Sequence, residues 1–144
     1  TYLGMLSEGF PNMFVMVGPQ SASVLANMIQ ATEHQADWYC DLIKSMRAKN
    51  QTLVDVVPEK EREWAKYCND LTSQTVWGDV GGGCTSWYNK KNVASDDERA
   101  GGSDSRRATE DPDLPFARVL PFTGGYLKYV EDVENWGYSG LVFE

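Results

Sequence analysis

Apolar and polar positions follow two rhythms along this chain. The run Met13-Phe14-Val15-Met16-Val17 comes after the turn signal Phe10-Pro11-Asn12 and is closed by Gly18-Pro19. Being apolar on both alternating faces, it predicts one buried, two-sided strand. Gly18-Pro19-Gln20-Ser21-Ala22-Ser23 then offers small and polar residues able to cap a helix, with helical content from Val24 through Ala26-Asn27-Met28. From Thr32 to Lys49 the rhythm is helical, with Ala36, Tyr39, Leu42, Ile43 and Met46 three or four apart on a predicted core face. The strand, turn and helix together occupy residues 12–49.

Pro58 opens a second long helix over 58–75, with Glu59, Glu61 and Glu63 early and a stripe of Trp64, Tyr67, Cys68, Leu71 and Thr75. The texture changes after Gln74. Gly78 and Gly81-Gly82-Gly83 exclude regular structure, and Ser86-Trp87-Tyr88-Asn89 is an aromatic island in a predicted loop over 78–93. Residues 94–113 hold no large apolar side chain, so burial cannot offset their ordering entropy and a disordered surface insertion is expected. Order resumes at Leu114-Pro115-Phe116. A last helix is predicted from Gly125, with Tyr126, Tyr129, Val130, Val133 and Trp136 in phase and Gly137 as terminator, before a short closing strand at Leu141-Val142-Phe143. The fold class is α/β, mostly helical, with one buried strand, two long helices, a long irregular loop and a C-terminal helix.

Composition narrows the function. The chain has 144 residues, 42% hydrophobic, with 13 Lys and Arg against 21 Asp and Glu for a net charge of −8. That leaves no basic face for nucleic acid or an anionic membrane surface. The longest apolar run falls far short of the roughly 20 residues that a membrane helix needs, so a soluble, cytoplasmic protein is expected. Cys40, Cys68 and Cys84 are odd in number and lack C-x-x-C spacing, which suits a reducing compartment and small buried apolar roles. The opening Thr1-Tyr2-Leu3-Gly4 has no signal-peptide character and reads as a processed chain or a piece of a longer one.

Catalytic signatures are sparse. His34 is the single histidine and has no ligand spacing around it, so a surface or interface role is expected. Gly81-Gly82-Gly83 lacks the Lys-Ser/Thr of a phosphate loop, and Asp96-Asp97-Glu98 lacks calcium-loop spacing. One motif has a mechanism attached. A strand running into Gly18–Ser23 and then a helix places open backbone N–H groups beside a strand end, where an electron-rich cofactor edge can sit; a bare architectural role is the alternative.

Tyr2-Leu3-Gly4, Gly9-Phe10-Pro11-Asn12-Met13-Phe14 and the stretch Gly18 to Met28 resemble the C-terminal third of Baeyer–Villiger monooxygenases. The resemblance continues in order through Glu33 and Trp38, the helix after Pro58, Ser86-Trp87-Tyr88 with Asn92, and Pro121-Phe122-Thr123-Gly124-Gly125-Tyr126 into Gly137-Tyr138. It implies the C-terminal part of a Rossmann-like FAD-binding domain in an enzyme that uses FAD and NADPH to insert one oxygen of O2 beside a ketone carbonyl. Carried over by position, it implies that the backbone at Asn27 and Met28 meets the FAD ring. Ser23, Val24 and Leu25 would border the substrate pocket, and Trp87 would fold over the NADP nicotinamide half; an aromatic that anchors its loop on the core is the alternative for Trp87.

The chain departs from the family at Ala22, where Pro is usual, at Glu33-His34-Gln35, where His and Gln are exchanged, at Asn89-Lys90-Lys91, and in the insertion 94–113. No G-x-G-x-x-G fingerprint occurs in it. The resemblance therefore implies a partner in the remaining FAD and NADP domains, with a ketone and O2 as reactants, no catalytic side chain and no metal in this segment, and no activity of the segment alone. A free-standing, non-catalytic helical interaction module is the alternative function.

Overall fold

A computed structural model describes residues 1–23, 25–75 and 121–144. Among these, three helices surround a core built around the first six residues, and a two-stranded sheet closes one end.

Helix α1, Met28–Ala48, starts where Asn27 leaves the extended region and its Oδ1 accepts the Ile29 N–H at 3.0 Å. The helix ends in a Schellman motif: Asn50 takes the left-handed conformation while the Asn50 and Gln51 N–H groups return to the Arg47 and Met46 carbonyls. Its buried side chains are Ala31, Gln35, Tyr39, Leu42 and Met46. The predicted face was rotated slightly, since Ala36 and Ile43 are exposed and Gln35 lies inside.

Helix α2, Pro58–Ser73, begins with Pro at the first turn beside Glu59 and Glu61, the charge that suits a helix N-terminus. It buries Trp64, Cys68 and Thr72 at four-residue spacing. Helix α3, Gly125–Trp136, buries Tyr129, Asp132 and Val133 and stops at Gly137, whose N–H bonds the Val133 carbonyl. Strand β1, Val54–Val56, pairs antiparallel with β2, Leu141–Phe143, in the register Val54↔Phe143 and Val56↔Leu141. The closing strand therefore has a partner, β1, for which the three-residue Val-Asp-Val run was too short a signal.

Three sequence expectations need correction. Met13–Val17 is not a strand. Asn12 and Val17 are left-handed at its two ends, among the described residues no strand pairs with it, and its donors go elsewhere: the Val15 N–H to the Met5 carbonyl and the Val17 N–H to Gln35. Its Met13 and Met16 side chains face outward, so the apolar run does not lie between two buried faces. The helix does not begin at Val24 either, because Leu25 is left-handed and the loop runs to Asn27. Cys40, expected inside, is exposed on α1, while Cys68 is buried.

Residues 1–6 supply a core element that the hydrophobic pattern did not reveal. Leu3 and Gly4 both have positive φ, the Met5 N–H returns to the Tyr2 carbonyl, and Tyr2 bridges Leu6, making a tight turn whose apolar side chains are all buried. The Tyr2 ring reaches α3 and tilts against Trp136 with centroids 6.1 Å apart. The predicted loop 78–93 and insertion 94–113 lie outside the described residues. No helix among the described residues is long and apolar enough to cross a membrane.

Candidate functional site

The loop ahead of α1 is pinned at its start and open at its end. The Gly18 N–H bonds the Gly4 carbonyl at 3.0 Å, and a side chain on Gly18 would come within 2.8 Å of that oxygen. Gln20, left-handed, turns its carbonyl to the Trp64 indole N–H at 3.3 Å. Ser21 and Ala22 are fully buried, and the Ser21 Oγ has no hydrogen-bond partner among the described residues. The Ser23 N–H closes back on the Ser21 carbonyl at 2.8 Å.

Beyond Ser23 several apolar side chains of the described residues are exposed. Leu25, Met28 and Ile29 are 67%, 53% and 70% exposed, around the start of a helix whose Ile29 N–H bonds the Asn27 Oδ1 and whose Ala31 N–H bonds the Asn27 carbonyl, while the N–H groups of Met28 and Gln30 precede the first intrahelical bond. The start of α3 lies beside this loop, Gly125 standing close to the Leu25 carbonyl, and Leu127 is exposed as well. Such an arrangement offers an apolar shelf for a flat ring and backbone donors for an electron-rich edge.

Of the site residues expected from the sequence, Asn27 caps α1, Met28 opens it with its side chain outward, Ser23 is half-buried and Leu25 is exposed. These four stand together at one helix N-terminus. Val24 and Trp87 lie outside the described residues. His34 is half-buried, and its Nε2 is enclosed without a hydrogen-bond partner among the described residues.

Sequence reasoning placed Tyr39, Cys68 and Tyr129 inside but missed the buried carboxylate of Asp132. Burial pushes the hydroxyls of Tyr39 and Tyr129 and the thiol of Cys68 well above their ordinary ranges, so all three are neutral hydrogen-bonding or packing groups near pH 7. The buried Asp132 carboxylate is satisfied by Lys128 at 2.6 Å and the Tyr67 hydroxyl at 2.7 Å, and this hydrogen bond holds the Lys128 ammonium protonated beyond its usual range. A lone Asp on an otherwise apolar helix face was the available signal. No cluster of three or more His, Cys, Asp or Glu is placed to hold a metal ion among the described residues.

The chain is 29% identical to phenazine N-monooxygenase of Lysobacter antibioticus over 99% of its own length and 22% of that protein. It is 31% identical to a Baeyer–Villiger monooxygenase of Streptomyces coelicolor over 59% of its length and 16% of the relative. Its relatives are Baeyer–Villiger and related flavin monooxygenases. An oxidised steroid monooxygenase bound to NADP superposes with a TM-score of 0.69 at 28% identity, covering 99% of this chain and 22% of the monooxygenase. The monooxygenase OTEMO, in complex with FAD and NADP, has the same fold with a TM-score of 0.70 at 24% identity, covering all of this chain and 22% of that one. The chain thus spans about a fifth of the length of the monooxygenases it matches. No family model matches it.

Proposed function

We propose that this chain acts as part of an FAD- and NADPH-dependent monooxygenase of the Baeyer–Villiger type, converting a ketone to an ester or lactone. The observation that carries this reading is the exposed apolar end of α1, formed by Leu25, Met28 and Ile29, on a chain similar over 99% of its length to flavin monooxygenases. An apolar shelf of this kind at a helix N-terminus fits one side of a flavin ring.

In this reading the backbone at Asn27 and Met28 meets the flavin, with the Asn27 side chain occupied in capping α1 and therefore unavailable for chemistry. Ser23, Val24 and Leu25 border the ketone, and Trp87 presents an indole N–H on an apolar body to the nicotinamide half of NADP. Residues 78–93 act as the NADP-closing loop, and the chain supplies the last part of the FAD domain. When bound, the two cofactors supply the redox chemistry, one oxygen atom entering the ketone and the other leaving as water at the expense of NADPH. The chain's own residues contribute shape, exclusion of water and fixed backbone dipoles.

Nitrogen oxidation is the second reading, favoured by the N-oxidising relative that matches across 99% of the chain. The non-catalytic module is not favoured, since the matched proteins are enzymes. The test is NADPH consumption by the longest natural polypeptide that contains this chain, assayed with cyclic ketones and with aromatic nitrogen heterocycles. Flavin absorbance with ketone-dependent ester formation supports the first reading. Flavin with N-oxide formation alone supports the second, and absence of flavin overturns both.

A further inference from the structure

Gln35 is fully buried in the middle of α1, and its amide is used at both atoms. Its Oε1 accepts the Val17 N–H at 2.7 Å, its Nε2 donates to the Tyr129 hydroxyl at 2.6 Å, and that hydroxyl donates onward to the Leu3 carbonyl at 2.6 Å. One relay therefore joins α1, α3, the turn at Leu3 and the loop before α1. A buried network with every member satisfied specifies a single geometry, because any rearrangement strands a polar group away from water.

The backbone at its end is strained. Val17 has φ +49 and Gln20 φ +68, left-handed values that a β-branched residue such as Val rarely adopts. Such conformations persist only where the surroundings over-determine them. Here Gln35 holds Val17, the Gly4 carbonyl holds Gly18, and the Trp64 indole holds the carbonyl of Gln20. From Gln20 the chain passes directly through buried Ser21 and Ala22 to Ser23 and the exposed head of α1. Gln35 lies eight residues below the Asn27 cap, about 12 Å along the helix axis, so neither it nor Tyr129 needs to touch a ligand at that head.

We propose that Gln35 and Tyr129 are positioning residues, whose hydrogen-bonded relay fixes the left-handed backbone at Val17–Gln20 and so places the buried Ser21 and Ala22 and the Ser23 that follows them ahead of α1. Their importance to a ketone-binding loop rests on the monooxygenase reading; the placement of the backbone rests on the hydrogen bonds alone.

Amide hydrogen exchange on the full chain, read by NMR at Val17 and at the α2 amides Trp64 and Cys68, tests this. Gln35→Met, which keeps length but removes both polar atoms, is expected to speed exchange at Val17 about tenfold beyond any change in α2, the size of one net hydrogen bond. Tyr129→Phe leaves the Gln35 amide without its acceptor and is expected to lower overall stability with a smaller local effect. The double variant is expected to lose less stability than the two single losses together, yet to leave Val17 exchanging as fast as in Gln35→Met. Gln35→Glu keeps an acceptor for Val17 and is expected to retain its protection, which a loss of packing alone would not predict. Exchange at Val17 that merely tracks α2 in every variant overturns the proposal, as does an unprotected Val17 amide in the unsubstituted chain. Failure of flavin binding or ketone oxidation in the larger polypeptide leaves these exchange rates unchanged and overturns only the functional reading.

Discussion

The indole of Trp64 and the ring of Phe122 lie parallel, 3° apart in plane and 5.8 Å between centroids, and both are fully buried. This stack joins α2 to the segment that leads into α3. It is reinforced by Thr72, whose hydroxyl donates to the Pro121 carbonyl at 2.8 Å. Tyr129 meets both rings edge-on, so the three aromatics form a shared centre for α2 and α3.

Phe122→Ala is accordingly expected to destabilise the chain by about 3–5 kcal/mol, the range for deleting a buried phenylalanine ring. Phe122→Leu should cost markedly less, because it keeps most of the volume and loses the stacking. Urea unfolding followed by tryptophan fluorescence measures both. Equal losses for the two variants would show that the ring stack, and not the filled space, carries the stability.

Gly4 and Gly9 form a matched pair. Both have positive φ, but a Cβ on Gly4 would fall 2.4 Å from the Ser21 Cβ, whereas one on Gly9 meets nothing within 4 Å. Gly9→Ala is expected to cost only the left-handed penalty of about 1–2 kcal/mol. Gly4→Ala should cost that and the collision with Ser21 as well, displacing the loop that leads to α1. Thermal unfolding of the two variants side by side checks the difference.

Alkaline stability follows from the buried neutral groups. Unfolding releases the Cys68 thiol to an ordinary pKa of about 8.5 and the Tyr39 and Tyr129 hydroxyls to about 10. Burial holds all three protonated to higher pH in the folded chain, so above those values the folded state binds more protons than the unfolded one. Their contribution is therefore complete at neutral pH and is lost as pH rises, first through Cys68 and then through the tyrosines. Cys68→Ala should flatten the decline between roughly pH 8.5 and 10 while leaving the steeper fall above about 10. Chemical unfolding at stepped pH values reads this directly.

The Trp87 assignment makes a functional prediction. In the larger polypeptide, Trp87→Ala is expected to raise the NADPH requirement and to divert oxygen use away from product, while the fold of residues 1–75 stays unchanged. Comparing NADPH consumed with ester formed measures coupling. Unchanged coupling would remove Trp87 from the closing loop.

Helices were the legible part of this fold because their faces are wide and periodic. Trp64 and Cys68 on α2 and Tyr129 and Val133 on α3 are buried as their spacing predicts, and Gly137 ends α3 as glycine should. Met13–Val17 misled because an apolar run reports the need for cover, not the backbone that will supply it, and Met13 and Met16 are left outward. Gln35 was invisible for the opposite reason. Its type argues for solvent, and only the tertiary arrangement of Val17 and Tyr129 makes its burial favourable. At the candidate site, resemblance pointed to Ser23, Val24, Leu25, Asn27, Met28 and Trp87, while the exposure of Leu25 and Ile29 emerged only from the fold.

The turn at Tyr2–Leu6 carries a kinetic consequence. Its Tyr2 hydroxyl bonds the Trp136 and Gly137 carbonyls, 134 and 135 residues away, Leu3 is tied to Tyr129 across 126, and β1 finds β2 only at the far end of the chain. Loop-closure entropy must be met before any of these contacts forms, so the chain has a high contact order despite its helical content. Folding is therefore expected to be slow for a helical protein. α1 and α2 would form early and remain without a consolidated core until the first and last segments meet between them.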